Sequence, residues 1–130
     1  MRKGFTLVEL IIVIIIVGIL ASVGMSQYTK VVEKGRFAEA RTILGSLRSL
    51  EITYNLENAG YDTVANLDPS IPAACAPTNY FSYACAVATG TCTATRCAAG
   101  GKAPQGSADS ANKTKTLAVD GTWGGTATNY

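Results

Sequence analysis

Residues 5–25 read Phe5-Thr6-Leu7-Val8-Glu9-Leu10-Ile11-Ile12-Val13-Ile14-Ile15-Ile16-Val17-Gly18-Ile19-Leu20-Ala21-Ser22-Val23-Gly24-Met25, and Glu9 is the one charged side chain in the run. At about 1.5 Å of rise per residue such a helix is roughly 30 Å long, the hydrocarbon thickness of a bilayer. By length and composition it is a membrane-spanning segment. Met1-Arg2-Lys3-Gly4 precedes it, and the basic residues run straight into the apolar stretch with no small-residue cleavage pattern behind it. A conventional secretory signal therefore fits poorly. Arg2 and Lys3 keep the N-terminus cytoplasmic and send the rest of the chain across.

The helical pattern continues beyond the span, so that Phe5 to about Leu56 reads as one helix with two characters. The first half is apolar all round, suited to lipid or to other apolar helices. The second half carries a one-sided stripe, Phe37, Ala40, Leu44, Leu47, Leu50 and Tyr54, which predicts the face that holds a soluble domain. Glu33, Lys34, Arg36, Glu39, Arg41, Arg48 and Glu51 are expected on the opposite, solvated side, with Arg36/Glu39 and Arg48/Glu51 at i,i+3 pairing distance. Asn58-Ala59-Gly60 ends the helix, with Gly60 suited to a left-handed cap.

Residues 61–77 read as a connecting loop punctuated by Asp68-Pro69 and Ile71-Pro72. Residues 80–87 and 91–97 are strand-like runs around Thr89-Gly90, a hairpin. Residues 102–112 form a Gly/Ser/Ala/Asp-rich loop, 114–119 a third strand, and Thr122-Trp123-Gly124 a short edge. The fold class is therefore α+β: a long N-terminal helix whose second half packs on an antiparallel sheet of three to four strands. The chain divides into a leader (1–4), a transmembrane or core helix (5–28), an amphipathic helix (29–57), and a part made of connecting loop, sheet and C-terminal loops (58–130).

Residues 58–130 are too few for a generous core, so the helix and the four cysteines are expected to stabilise them. Cys75, Cys85, Cys92 and Cys97 lie in a segment sent out of the cytoplasm, where disulfides form. Their spacing lacks the paired C-x2-C knuckles of structural zinc sites, so no metal and no cofactor are expected. If 92–97 is continuous strand, its ends are about 16 Å apart, which excludes Cys92 with Cys97 and hence Cys75 with Cys85. Two pairings stay open: Cys85–Cys92 with Cys75–Cys97, or Cys75–Cys92 with Cys85–Cys97. The first is favoured because it closes the hairpin.

Charge and composition exclude several functions. Taking Arg2 and Lys3 from the 11 Lys and Arg leaves 9 against 9 Asp and Glu, which argues against a nucleic-acid surface. There is no histidine, so His-based triads and metal sites are absent, and no nucleophile sits beside a candidate base. No enzyme and no small-molecule substrate are expected. Asn112-Lys113-Thr114 matches a glycosylation sequon in a loop, and the aromatics Phe5, Tyr28, Phe37 and Tyr54 are read as core or interface residues.

The run Arg2-Lys3-Gly4-Phe5-Thr6-Leu7-Val8-Glu9-Leu10 and the Ile/Val-rich stretch after it resemble the class III leader junction of type IV pilins and the related type II secretion pseudopilins. The resemblance covers roughly the first 55 residues. Ser26 stands ahead of Gln27-Tyr28 where the family pattern has a proline, so an unbroken helix is expected in place of a kink. The resemblance implies cleavage between Gly4 and Phe5 by a prepilin peptidase, methylation of the new Phe5 N-terminus, and a role for Glu9 in assembly. It implies a subunit held in the inner membrane, then polymerised with copies of itself and the pilus assembly machinery into an extracellular filament. The alternatives are a secretion pseudopilin and a membrane-anchored exported monomer.

Overall fold

The computed structural model describes residues 1, 4–104 and 110–130. Arg2 and Lys3 of the expected leader, and residues 105–109 of the expected loop 102–112, lie outside the described residues.

Helix α1 spans Leu7–Asn58, 52 residues, so it extends about 78 Å. Thr6 sets its start. The Thr6 Oγ1 accepts the Glu9 backbone N–H at 3.3 Å, and the Glu9 carboxylate accepts the Thr6 N–H at 3.4 Å. This reciprocal capping box satisfies two of the donors that a helix start leaves open. Every residue from Leu7 to Met25 is exposed. The helix passes Gly24 and Ser26 without interruption, as the missing proline led us to expect. Ser22, Ser26 and Thr29 return their hydroxyls to the carbonyls of Ile19, Val23 and Ser26 at 2.8, 3.0 and 3.1 Å, so they add no unpaired polar group to the apolar surface.

The second half of α1 holds the domain, with a shifted stripe. Phe37, Ala40, Leu44 and Leu47 are fully buried, but Leu50 is exposed and Tyr54 only half-buried. The buried face continues to Glu33 at one end and Glu51 at the other, both expected in solvent and both buried. The reason is geometric. Steps of four back from Phe37 and four on from Leu47 keep to the face, and the step of three to Leu50 leaves it. The ion pairs shift accordingly: Arg36 pairs with Glu33, not Glu39, and Arg48 Nε donates to the Val119 carbonyl at 2.9 Å.

The left-handed cap is Ala59, not Gly60 (φ 55°, ψ 33°), and its N–H reaches the Asn55 carbonyl at 2.9 Å. The segment expected as pure loop contains a short helix α2, Val64–Leu67, whose Val64 is buried in the core. Its signal is weak because one turn has no period to show.

Four antiparallel strands follow in sequence order: β1 Phe81–Cys85, β2 Cys92–Arg96, β3 Thr114–Leu117 and β4 Trp123–Gly124. Each is a little shorter than its apolar run. The third stops at Leu117 because Ala118 and Thr122 enter a turn closed by Gly121 (φ 94°). In the register Tyr83 lies opposite Ala94, Cys85 opposite Cys92, and Cys92 also opposite Leu117. Thus Phe81, Tyr83, Cys92, Ala94 and Leu117 share the face that meets Phe37, Ala40, Leu44 and Leu47. Phe37 packs edge-on to Phe81 (centroids 4.9 Å apart) and stacks on Tyr130 (5.1 Å). Gly90 closes the hairpin at φ 63°, and any Cβ there would come within 2.6 Å of the Tyr61 ring.

The cysteines are joined as Cys85–Cys92 (Cα–Cα 4.0 Å) and Cys75–Cys97 (5.8 Å). The first ties β1 to β2 and the second ties the connecting segment to the end of β2.

Candidate functional site

The exposed half of α1 and the residues at its start form the candidate site. Gly4 and Phe5 lie ahead of the helix, outside helix and strand and both exposed, and apart from its chain neighbours nothing stands within 4 Å of where a Gly4 Cβ would be. Both residues flanking the bond are therefore accessible among the described residues. One turn on, Glu9 is held by its own helix start, with its carboxylate on the N–H and the hydroxyl of Thr6 (3.4 and 3.3 Å). The composition did not reveal this bond by itself, but the spacing Thr6-x-x-Glu9 is a capping-box signature ahead of an apolar run.

From Phe5 to Met25, 15 large apolar side chains are exposed. Fully burying each contributes about 1.5–3 kcal/mol, so the gross driving force is tens of kcal/mol, well above the ~5–15 kcal/mol of a typical domain's net stability. Such a surface does not stay in water. The helix is long and apolar enough to cross a membrane.

The other half of α1 is fixed to the sheet by a buried polar cluster. Glu33 receives Arg96 on both carboxylate oxygens (Nε 2.8 Å, Nη2 3.0 Å) and the Ser110 hydroxyl at 2.6 Å, with Arg36 as a further partner. Arg96 Nη1 also donates to the Tyr80 carbonyl at 2.9 Å and to that of Lys102. Burial raises the Glu33 pKa, but the bonds from Arg96 and Ser110 and the charges of Arg96 and Arg36 outweigh it and hold the carboxyl below its ordinary value. Arg36 (4.2 Å) and Lys102 (4.8 Å) both stand over the Tyr80 ring. The second half of α1 is thereby tied to β2 and to the loop before β3. Nothing in the sequence pattern marked Glu33 as buried, since Arg96 is 63 residues away.

Of the other residues singled out in the sequence, Asn112 is exposed at φ 57°, Tyr28 is exposed on α1, and Phe37 is core. Burial pushes the Tyr83 hydroxyl far up, so it stays protonated.

A bare apolar half-helix continuous with a small disulfide-bonded α+β domain defines a class of protein: one whose first half suits an apolar environment and whose second half suits water. The comparisons narrow the class. Residues 1–25 match the prokaryotic N-terminal methylation motif. A fimbrial protein of Moraxella nonliquefaciens is 39% identical over 70 residues, covering 50% of this chain and 45% of that protein. The type IV major pilin protein PilA of Myxococcus xanthus is 33% identical over 91 residues, covering 70% of this chain and 40% of its own length. The type IV major fimbrial protein FimA of Dichelobacter nodosus is 37% identical over 49 residues, 38% of this chain and 31% of its own. The chain spans less than half the length of these relatives. The N-terminal half of the chain is thus similar to that of type IV pilins.

Proposed function

We propose that this chain is a structural subunit of a type IV pilus. The observation that carries the reading is the wholly exposed apolar face of α1 from Leu7 to Met25, entered by a single acid at Glu9. Two environments satisfy such a surface in turn: lipid while the subunit waits in the inner membrane, then the helices of its own copies. Residues 5–28 would form the filament core, and residues 29–57 with the sheet would coat the outside. A head-to-tail, non-closing contact between identical copies gives a fibre in place of a ring.

Processing fits the same site. Cleavage of the open Gly4–Phe5 bond by a prepilin peptidase frees the Phe5 amine, positively charged near neutral pH. That amine, methylated in the mature subunit, sits one turn from Glu9. In a bundle of apolar helices, the Glu9 of an adjacent copy can pair with it. A mispositioned copy would leave a buried charge alone at a cost of ~3–5 kcal/mol, so the pair sets axial register. The chemistry is mechanical, and no catalytic role is assigned to any residue.

The test is electron microscopy and mass spectrometry of filaments sheared from cells. The expected result is this chain as a component, beginning at methylated Phe5. A chain that stays in the membrane with Met1 attached would overturn the proposal.

A further inference from the structure

Among the described residues, Glu51 alone has a buried side-chain oxygen with no hydrogen-bond partner. The residue is 0% exposed. Its Oε2 accepts the Asp62 N–H at 3.2 Å, while Oε1 faces no donor. A buried acceptor left in this way is unfavourable, and native proteins rarely keep one without a use.

Around Glu51 lie the two sulfurs of the hairpin bridge. One ligand atom each from Glu51, Cys85 and Cys92 fall within 4.8 Å of one another. Three elements bring them together: Glu51 is one turn beyond Leu47 on α1, Cys85 ends β1, and Cys92 begins β2. Cys85 and Cys92 are direct cross-strand partners, so their side chains leave the sheet on the same face, toward the helix. Among the described residues no comparable group gathers at Cys75–Cys97.

We propose that reduction of the Cys85–Cys92 bridge opens a site for one thiolate-preferring divalent cation, zinc(II), held by Glu51, Cys85 and Cys92. In the oxidised chain neither sulfur is a thiolate, and the site is closed. A dithiol reductant opens it. Its thiolate attacks one sulfur, the Cys85–Cys92 bond breaks, and a mixed disulfide forms. The reductant's second thiol then displaces the protein sulfur. Two electrons and two protons end on Cys85 and Cys92, and the reductant leaves as a disulfide. Zinc replaces the two thiol protons, which go to solvent, and the Glu51 carboxylate supplies the third ligand.

Zn–S bonds of about 2.3 Å in a tetrahedron put the sulfurs about 3.7 Å apart, so the two must separate from their bonded positions once the bridge is reduced. Two thiolates and a carboxylate on zinc carry a net charge of −1, less than a site built from four thiolates. Cys85 is only partly buried and β1 is an edge strand, so metal and reductant have an approach, and water can take the fourth position. The pattern escapes a sequence search because the third ligand comes from a helix well before the hairpin.

The experiment uses the full chain in detergent, reduced, freed of reductant without oxygen, and titrated with cobalt(II) and then zinc(II). One cobalt per chain, with thiolate-to-metal absorption that zinc displaces and the oxidised chain lacks, is the expected result. Glu51→Gln, which keeps the shape and removes a buried acid, is expected to weaken binding at least tenfold. A second measurement needs no variant: zinc should shield Cys85 and Cys92 from alkylation while Cys75 and Cys97 react. Equal labelling of all four, or binding unchanged in Glu51→Gln, would overturn the proposal. Neither outcome bears on filament assembly.

Discussion

Glu33 on α1 and Arg96 on β2 meet in a two-pronged ion pair, Nε–Oε2 at 2.8 Å and Nη2–Oε1 at 3.0 Å, with both side chains buried. Buried pairs of this kind add little net stability when compared with apolar replacements, yet removing one partner strands the other. Arg96→Met should therefore destabilise the domain by about 3–5 kcal/mol. Arg96→Met together with Glu33→Leu should recover part of the loss, although the carbonyls of Tyr80 and Lys102 also lose their donor. Denaturant midpoints of the full chain in detergent check both, and a double variant as weak as the single would rule out the stranded-charge account.

The same carboxylate makes the domain sensitive to acid. Because the folded-state pKa of Glu33 is lowered, its contribution is fully present above the unfolded value of about 4.3 and is lost as the pH falls through the folded value. Between pH 7 and 3, the melting temperature of the wild-type chain should drop more steeply below about pH 4.3 than that of Glu33→Gln. Parallel curves would show that other carboxylates carry the acid response.

These two residues also show what the sequence leaves hidden. Phe37, Ala40, Leu44 and Leu47 are legible because apolar side chains on a helical period have a single physical reading. Glu33 and Glu51 occupy the same face, but an acid on the stripe is ordinarily solvated, and the partner that changes this comes from a distant strand or loop. Leu50 misleads in the opposite way, being apolar and off the face. The hairpin is legible from its turn and its strand-like runs, and the membrane-length helix from composition. Ala59 as the left-handed residue is not, since Gly60 beside it is intrinsically better suited.

The two bridges should contribute unequally. Loop closure across a sequence separation of 22 gives Cys75–Cys97 about 3.4 kcal/mol in the chain-entropy account, against about 2.4 kcal/mol for the separation of 7 at Cys85–Cys92. Paired Cys→Ala replacements should lower stability in that order, with each pair also losing packing at one buried cysteine, Cys97 in the first and Cys92 in the second. Unfolding of the two double variants in denaturant measures the difference. If removing Cys75–Cys97 costs less than removing Cys85–Cys92, packing outweighs chain entropy here.

Glu9 carries two roles that a single substitution to alanine would confuse. In the free subunit its carboxylate caps α1 through Thr6. In the proposed filament its charge answers the Phe5 amine of an adjacent copy. A glutamine serves a capping box nearly as well as a glutamate, but has no charge to pair. Glu9→Gln should therefore keep membrane insertion and helix content while filament yield falls as far as in Glu9→Ala. Thr6→Ala should do the reverse, fraying the helix start at a cost of ~0.5–2 kcal/mol while leaving the charge in place. Filament yield by shearing, read beside helix content by circular dichroism, separates the roles. Normal assembly in Glu9→Gln with failure in Thr6→Ala would mean that the acid matters as a cap, and that register is set by the apolar packing alone.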